Sequence, residues 1–362
     1  MRSHFKKRVM TGDRPTGKLH LGNWVGSLKN RVRMQEGYEC FFLVADLHSL
    51  TTEFRETSVI RENVRDMVLD YLSVGVDPGK STIYLQSSIP EVAELFTLFA
   101  MLTSAPRLER VPTLKETMRE LKMKTISLGL LAYPVLQAAD ILMVRADVVP
   151  VGADQASHVE LTREIARRFN RLYRPIFPVP EILVGEVPSL PGTDGQAKMS
   201  KSLDNAIFLS DSPETLASKV NGMYTDPSRI RATDPGHAEG NPVFIYHDAF
   251  NPDRAEVEDL KRLYRKGKIG DVDVKARLVR VLNAFLEPIR ERRACYAGRS
   301  RIIEEILLEG TEVARAEAQE TLEMAKEAMG LSWLSIPQSP GDEKGGNNEQ
   351  DTKHGDQHVG PL

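Results

Sequence analysis

Lys198-Met199-Ser200-Lys201-Ser202 packs two ammonium groups and two hydroxyls into five residues, just after the flexible run Pro191-Gly192-Thr193-Asp194-Gly195. Lysines three apart on a loop can close together on a polyphosphate as point charges. Alone, a Lys-rich pentapeptide is more often a solvated surface loop. A second stretch, Thr16-Gly17-Lys18-Leu19-His20-Leu21-Gly22-Asn23, lies roughly 180 residues earlier. Gly17 and Gly22 let backbone approach a ligand, and the helix after them turns its positive end toward phosphate. His20 and Asn23 add side-chain donors near that end. Together, the two stretches predict a nucleotide site.

The chemistry these parts suit is adenylation of a carboxylate. Such a substrate is already ionised at neutral pH, so it attacks the α-phosphate of ATP without a general base. The protein's tasks are positioning and neutralising charge on the leaving pyrophosphate. Lys198 and Lys201 fit the second task, with Mg²⁺ carried on the ATP phosphates. A loop that closes only on ATP accounts for the flanking glycines. Asp140 is the only acid in the apolar run from Tyr133 to Val144. A buried carboxylate is costly without a partner. Its partner is expected to be an Arg, a Tyr hydroxyl or a helix N-terminus, or else a ligand donor such as an indole N–H.

The elements that must position these residues alternate between strand and helix. Val9 to Thr11 reads as a strand, followed by the loop Gly12 to Gly17. A helix with Leu21, Val25, Leu28 and Val32 on one buried face comes next, closed by Gly37. Cys40 to Ala45 and Ser81 to Gln86 read as buried strands, with a helix carrying Ile60, Val64, Met67, Tyr71 and Val74 between them. This rhythm predicts an α/β fold, a doubly wound parallel sheet (a Rossmann-like catalytic domain) over residues 1–212. Ligands of such sheets bind beyond the strand C-termini. A mainly helical insertion is expected at about 90–145, and a returning strand at Asp147–Val151. Asp154 is placed at the start of the next helix.

After Ser212 the alternation stops, and residues 213–330 read as a separate α-helical domain. Eight basic side chains between Lys275 and Arg301 form either a solvated helix face or a phosphate-contacting one. Residues 331–362 are expected to be a disordered tail, since the chain from about Pro337 to Leu362 lacks apolar residues to bury.

The 362 residues leave room for two or three domains, and 27% charged residues with a net charge of −3 fit a globular protein rather than a polycation. Two cysteines, Cys40 and Cys295, support neither a disulfide framework nor a zinc or iron–sulfur site, and no metal held by the chain itself is expected. No run is long enough to span a membrane, and the basic N-terminus lacks the apolar core of a signal peptide, so a cytoplasmic protein is expected.

The order of these motifs, with Tyr133-Pro134, Ala138-Ala139-Asp140-Ile141-Leu142, Val149-Pro150-Val151-Gly152-Ala153-Asp154-Gln155 and His158-Val159-Glu160-Leu161-Thr162-Arg163, resembles the bacterial tryptophanyl-tRNA synthetases, class I enzymes, over about residues 8–330. The resemblance implies adenylation of L-tryptophan followed by transfer to tRNA(Trp). It implies a homodimer whose helical C-terminal domain reads the anticodon. Asp140 stands where that family accepts the indole N–H. Gly12, His48, Tyr133, Gln137, Val149, Val151 and Gln155 stand in the amino-acid pocket. Arg14, Pro15, Thr16, Gly22, Asn23, Gly152, Ala153, Asp154 and Val187 stand near ATP, with the 198–202 loop. His20 and Lys115 join Lys198 and Lys201 as catalytic candidates, Lys115 reaching for phosphates or carboxylate.

Arg14 in place of the usual Gln and Gln137 in place of an apolar residue resemble the divergent second bacterial type. Three other functions are weighed. A tyrosine enzyme would need a phenol-binding pair that is not found. A small-molecule adenylyltransferase would not need the long helical C-terminal region. A non-catalytic tryptophan or RNA sensor would be expected to have lost His20, Lys198 or Lys201.

Overall fold

Side chains alternate across five short strands, and that alternation divides the core in two. The structure, a computed structural model, describes residues 6–333 except 121–124, 153–155, 185–189, 196–197, 228, 230, 232 and 300. β1 (Arg8–Asp13) gives Val9 to one core cluster and Met10 to the other. β2 (Glu39–Val44) gives Phe42 and Val44 to the first cluster, and Phe41 and Leu43 to the second. Both sheet faces are covered, so the strands are nearly all apolar. Each such aromatic or aliphatic side chain contributes about 1.5–3 kcal/mol when fully buried.

Between β1 and β2 the expected single helix is broken into three pieces. α1 (Leu21–Asn23) runs into a π-helical turn, Trp24–Leu28, and then α2 (Lys29–Met34). The wider turn rotates the residues beyond it about the helix axis. Arg31 and Met34 are buried after Leu28, while Val32 is only half-buried. α3 (Asp46–Glu53), which the sequence pattern did not signal, comes straight after β2 and carries His48. α4 (Ile60–Val74) ends on Gly75, whose φ of +104° only glycine adopts without strain.

β3 (Ser81–Leu85) is an edge strand. The expected helical insertion is α5 (Glu91–Met101), α6 (Ala105–Leu108), α7 (Pro112–Glu120) and α8 (Leu128–Met143), which carries Asp140. β4 (Val148–Val151), α9 (Ala156–Leu172) and β5 (Glu181–Val184) complete a parallel sheet ordered β3-β2-β1-β4-β5. The strand order reverses at β1/β4, the place where doubly wound folds bind ligands.

α10 (Pro213–Asn221), α11 (Pro242–Phe250), α12 (Arg254–Arg265), α13 (Asp271–Ala297) and α14 (Ile302–Ala328) form the helical region. Two of these helices reach back to the sheet domain. α13 packs on α4, and α14 runs along β3. Gly310 is required there, since a Cβ would collide with the Ile83 carbonyl, and Thr311 Oγ1 accepts the Leu85 N–H at 3.2 Å. Ala314, Ala318 and Ala325 sit in the second core cluster, and Glu317 binds both Arg8 and Arg145.

Several members of the basic run on α13 are engaged by other parts of the fold, although Arg292 is itself exposed. Arg293 binds Asp66 and Asp70, Arg292 donates to the Ser73 carbonyl, Arg290 donates to the Asp211 carbonyl, and Lys275 is buried. They join α13 to its neighbours. The expected tail lies outside the described residues beyond 333.

Candidate active site

A cavity of about 650 Å³ opens at the C-terminal ends of β1 and β4. Gly12, Arg14, Asn23, His48, Tyr133, Gln137, Asp140, Val149, Val151 and Gly152 all line it, drawn from separate stretches of chain. Its two ends differ in construction.

At one end Asp140 is fully buried on α8, and burial pushes its carboxyl pKa up against the pull of its partners. Those partners are none of the ones expected. His48 Nε2 donates to Oδ2 at 2.9 Å, and Gln86 Nε2 reaches both carboxylate oxygens at 2.9 and 2.8 Å. Gln86 stands immediately after β3, and its other amide atom, Oε1, accepts the His48 backbone N–H at 3.3 Å. The carboxylate, the imidazole and the amide thus fix one another. A carboxylate offers about four lone-pair sites, so these bonds leave room for one further donor. The Tyr133 ring stands edge-on to His48, and its hydroxyl pairs with Thr113 and His158 at 2.9 Å each. His158 is buried at the start of α9.

Gln86, Thr113 and His158 are the residues that sequence reasoning missed. The available signal for Gln86 was its type: a polar side chain at the C-terminal end of a buried parallel strand. Lys115, two residues after Thr113, is exposed and does not line the cavity.

Past Arg14 and Asn23 the two distant motifs meet, and of their residues Asn23 alone is among the described residues that line the cavity. Lys201 Nζ donates to the Gly17 carbonyl at 2.9 Å and to Thr16 Oγ1 at 3.3 Å. Met199 is buried, and its sulfur receives the Gly22 N–H at 3.3 Å. A Cβ on Gly22 would stand 2.9 Å from His20 Nδ1, which explains the glycine without a ligand. His20 caps α1: its Nδ1 accepts the Asn23 N–H, and Asn23 Oδ1 accepts the His20 N–H. Burial, reinforced by the Lys201 and Lys198 charges, pushes the His20 pKa down to about 4. The ring is therefore neutral at pH 7. Burial also lowers the Lys201 pKa, opposed by Asp13 and Asp70. Lys198 is exposed, Ser200 and Thr16 are half-buried, and Pro15 is buried.

Between the ends, Asp13 lines the cavity floor at the tip of β1. Arg31 Nη1 and the Tyr71 hydroxyl both hold its Oδ2 at 2.8 Å. Burial works against the Arg31 charge, yet Asp13 and Tyr71 keep its pKa above the ordinary value. Ala153, Asp154, Gln155 and Val187 lie outside the described residues, as does the side chain of Ser202.

The family model for class I tRNA synthetases specific for tryptophan and tyrosine (W and Y) matches residues 2–287. The chain is 56% identical over 335 residues to the tryptophan–tRNA ligase of Treponema pallidum, covering 92% of this chain and 99% of that one. It is 55% identical over 338 residues to that of Chlamydia caviae, covering 91% and 98%. The solved tryptophanyl-tRNA synthetase of Campylobacter jejuni, complexed with ADP and tryptophan, superposes with a TM-score of 0.80 at 36% identity, over 90% of this chain and 100% of that one.

The sheet order and the paired motifs, with this match, define a class I aminoacyl-tRNA synthetase. Both relatives span nearly the whole described chain. The protein belongs to the tryptophanyl-tRNA synthetase family.

Proposed function

We propose that the cavity activates L-tryptophan with ATP, releasing pyrophosphate, and that the protein then transfers tryptophan to tRNA(Trp). The single observation that carries the residue-level reading is the buried Asp140 carboxylate, held by His48 and Gln86 on the cavity wall. It is the acceptor for the indole N–H. A site built around such an acceptor rejects phenylalanine, which would leave it unpaired. Tyr133 and Gln137 form the wall over the amino acid, with Gly12, Val149 and Val151 and, from the match, Gln155.

The nucleotide lies toward Arg14, Pro15, Thr16, Gly22, Asn23 and Gly152, with Ala153, Asp154 and Val187 contributing by resemblance. The tryptophan carboxylate attacks the α-phosphate as an anion, and pyrophosphate leaves with its charge met by Lys198 and Lys201. His20, being neutral, donates a hydrogen bond without adding charge. Among the described residues no three His, Cys, Asp or Glu side chains converge on a metal position. Mg²⁺ is taken to come on the ATP phosphates by family likeness, where it neutralises charge. The helical region after residue 213 is assigned to anticodon recognition, in a cytoplasmic homodimer, by family likeness. Among the described residues no helix is long and apolar enough to cross a membrane.

The test is amino-acid-dependent ATP–pyrophosphate exchange without tRNA, run separately with tryptophan, tyrosine and phenylalanine. Exchange with tryptophan alone is expected. Exchange with tyrosine would remove Asp140 from the indole role, and folded protein inert with all three would point to a sensor.

A further inference from the structure

Lys275 is a buried cation for which the chemistry above has no use. It lies on α13 in the helical region, with 6% of its surface exposed. All three of its N–H donors are taken: by the Met223 carbonyl at 2.7 Å, by Thr225 Oγ1 at 3.0 Å and by the Asn221 carbonyl at 3.1 Å. None of these partners is an anion. Burying an ammonium on neutral acceptors is costly, and an apolar side chain of the same length would fill the space more cheaply. What the cation secures is therefore the path of the segment after α10.

That segment touches the lysine loop. Tyr224, between two of the anchored residues, donates its N–H to the Thr193 carbonyl at 2.9 Å. Thr193 in turn donates to the Asn205 carbonyl at 2.9 Å. Asn205 is buried, and its side chain holds the loop from inside: Nδ2 donates to Asp194, and Oδ1 accepts the Ser200 N–H at 2.8 Å. Gly195, at φ +70°, lies so close to the same segment that a Cβ would come within 2.7 Å of Pro242 and 3.1 Å of Tyr224. The Tyr246 hydroxyl on α11 fixes the loop's entry by donating to the Pro191 carbonyl at 2.7 Å. Pro191 is bridged to Lys198.

We infer that Lys275 is a positioning residue for adenylation. It anchors residues 221–225 so that Tyr224 and Thr193 hold Lys198 and Lys201 in register with the Thr16–Asn23 motif. Lys275 never touches substrate. Its influence passes from the helical region to the nucleotide end of the cavity and bypasses Asp140. This inference rests on the reading of Lys198 and Lys201 as ATP-binding residues.

Lys275→Met, which keeps the stem and removes the charge, is tested by pyrophosphate exchange with full-length protein. The KM for ATP is expected to rise about tenfold as the three charge-assisted bonds are lost and the anchored segment loosens, while the KM for tryptophan stays within about twofold. Thr225→Val, which removes one acceptor, is expected to show the same split at about threefold. It serves as the probe if Lys275→Met does not fold.

A double-mutant cycle with Lys201→Met separates positioning from general damage. The Lys275 effect on ATP should shrink when Lys201 is already gone, because both act on one contact. Fully additive effects, equal rises in both KM values, or a lowered melting temperature with an unchanged ATP KM would each overturn the inference. An unchanged kcat/KM for ATP in Lys201→Met alone would overturn the reading beneath it, and the inference with it.

Discussion

On the proposed assignment of an amino-acid end and a nucleotide end, the two ends of the cavity solve opposite problems. The amino-acid end is assembled before any ligand arrives. Asp140, His48 and Gln86 are buried and bonded to one another on three different elements, so the acceptor is aimed and desolvated by folding itself. The nucleotide end places its charge on a loop: Lys198 is exposed, and among the described residues Lys201 is held by a backbone carbonyl and a hydroxyl. Discrimination against a similar amino acid needs a rigid, fully satisfied wall. Stabilising a leaving pyrophosphate needs cations that can move with it. Stability and activity should therefore separate across the cavity.

The largest expected effect is at the loop. Lys201→Met should lower kcat/KM for pyrophosphate exchange about 10²–10³-fold. Its melting temperature should move by less than about 2 °C, since a half-buried ammonium with no direct ion pair among the described residues contributes little to stability. At the other end, Asp140→Asn turns an NH₂ toward the Gln86 NH₂ and removes the indole acceptor. Its kcat/KM for tryptophan should fall about 100-fold and its melting temperature by several degrees, with the KM for ATP within about twofold. Equal losses of stability in these two variants would erase the contrast. Gln86→Leu sharpens it. That change leaves Asp140 in place but removes its brace, and the KM for tryptophan should rise about tenfold with ATP unaffected.

The next effect is read in pH. His20 is held near 4, below its ordinary 6.5, so between those values the unfolded chain binds a proton that the folded chain does not. The stability it confers is complete above pH 6.5 and is lost as the pH falls toward 4, by at most about 3 kcal/mol. In urea titrations across that window, His20→Asn should keep the cap and flatten the slope; an unchanged slope would assign it to other groups. The smallest effect is expected at Arg14, which is exposed and only 3.4 Å from Thr52. Arg14→Gln should change the KM for ATP by about threefold or less.

Legibility in the sequence divides along the same line. Strand-to-helix rhythm is local, and all five strands were either expected or, for β5, left inside a Pro-rich connection too short to show a period. The lysine loop and its partner motif were legible because each is contiguous. Asp140 stood out as a charge in an apolar run. Its partners did not, because Gln86 and His48 reach it only after β2, β3 and α8 have packed, and no spacing along the chain encodes that meeting. The π-helical turn escaped for a related reason: no spacing marks it, and beyond it Arg31 and Met34 are buried while Val32 is half-buried. The basic run on α13 shows the limit of composition, since identical charges serve solvent, RNA or a neighbouring helix equally well on paper.

The contact of Gly310 with Ile83 also sets an order for synthesis. A ribosome delivers β3 more than two hundred residues before the helix that covers its edge. Until α14 has emerged, that edge presents unpaired backbone groups able to join another nascent chain. That helix, though remote from the cavity, is what covers the open edge of the sheet. A chain cut short before Ile302 would carry every cavity-lining residue and still leave the ribosome prone to aggregate.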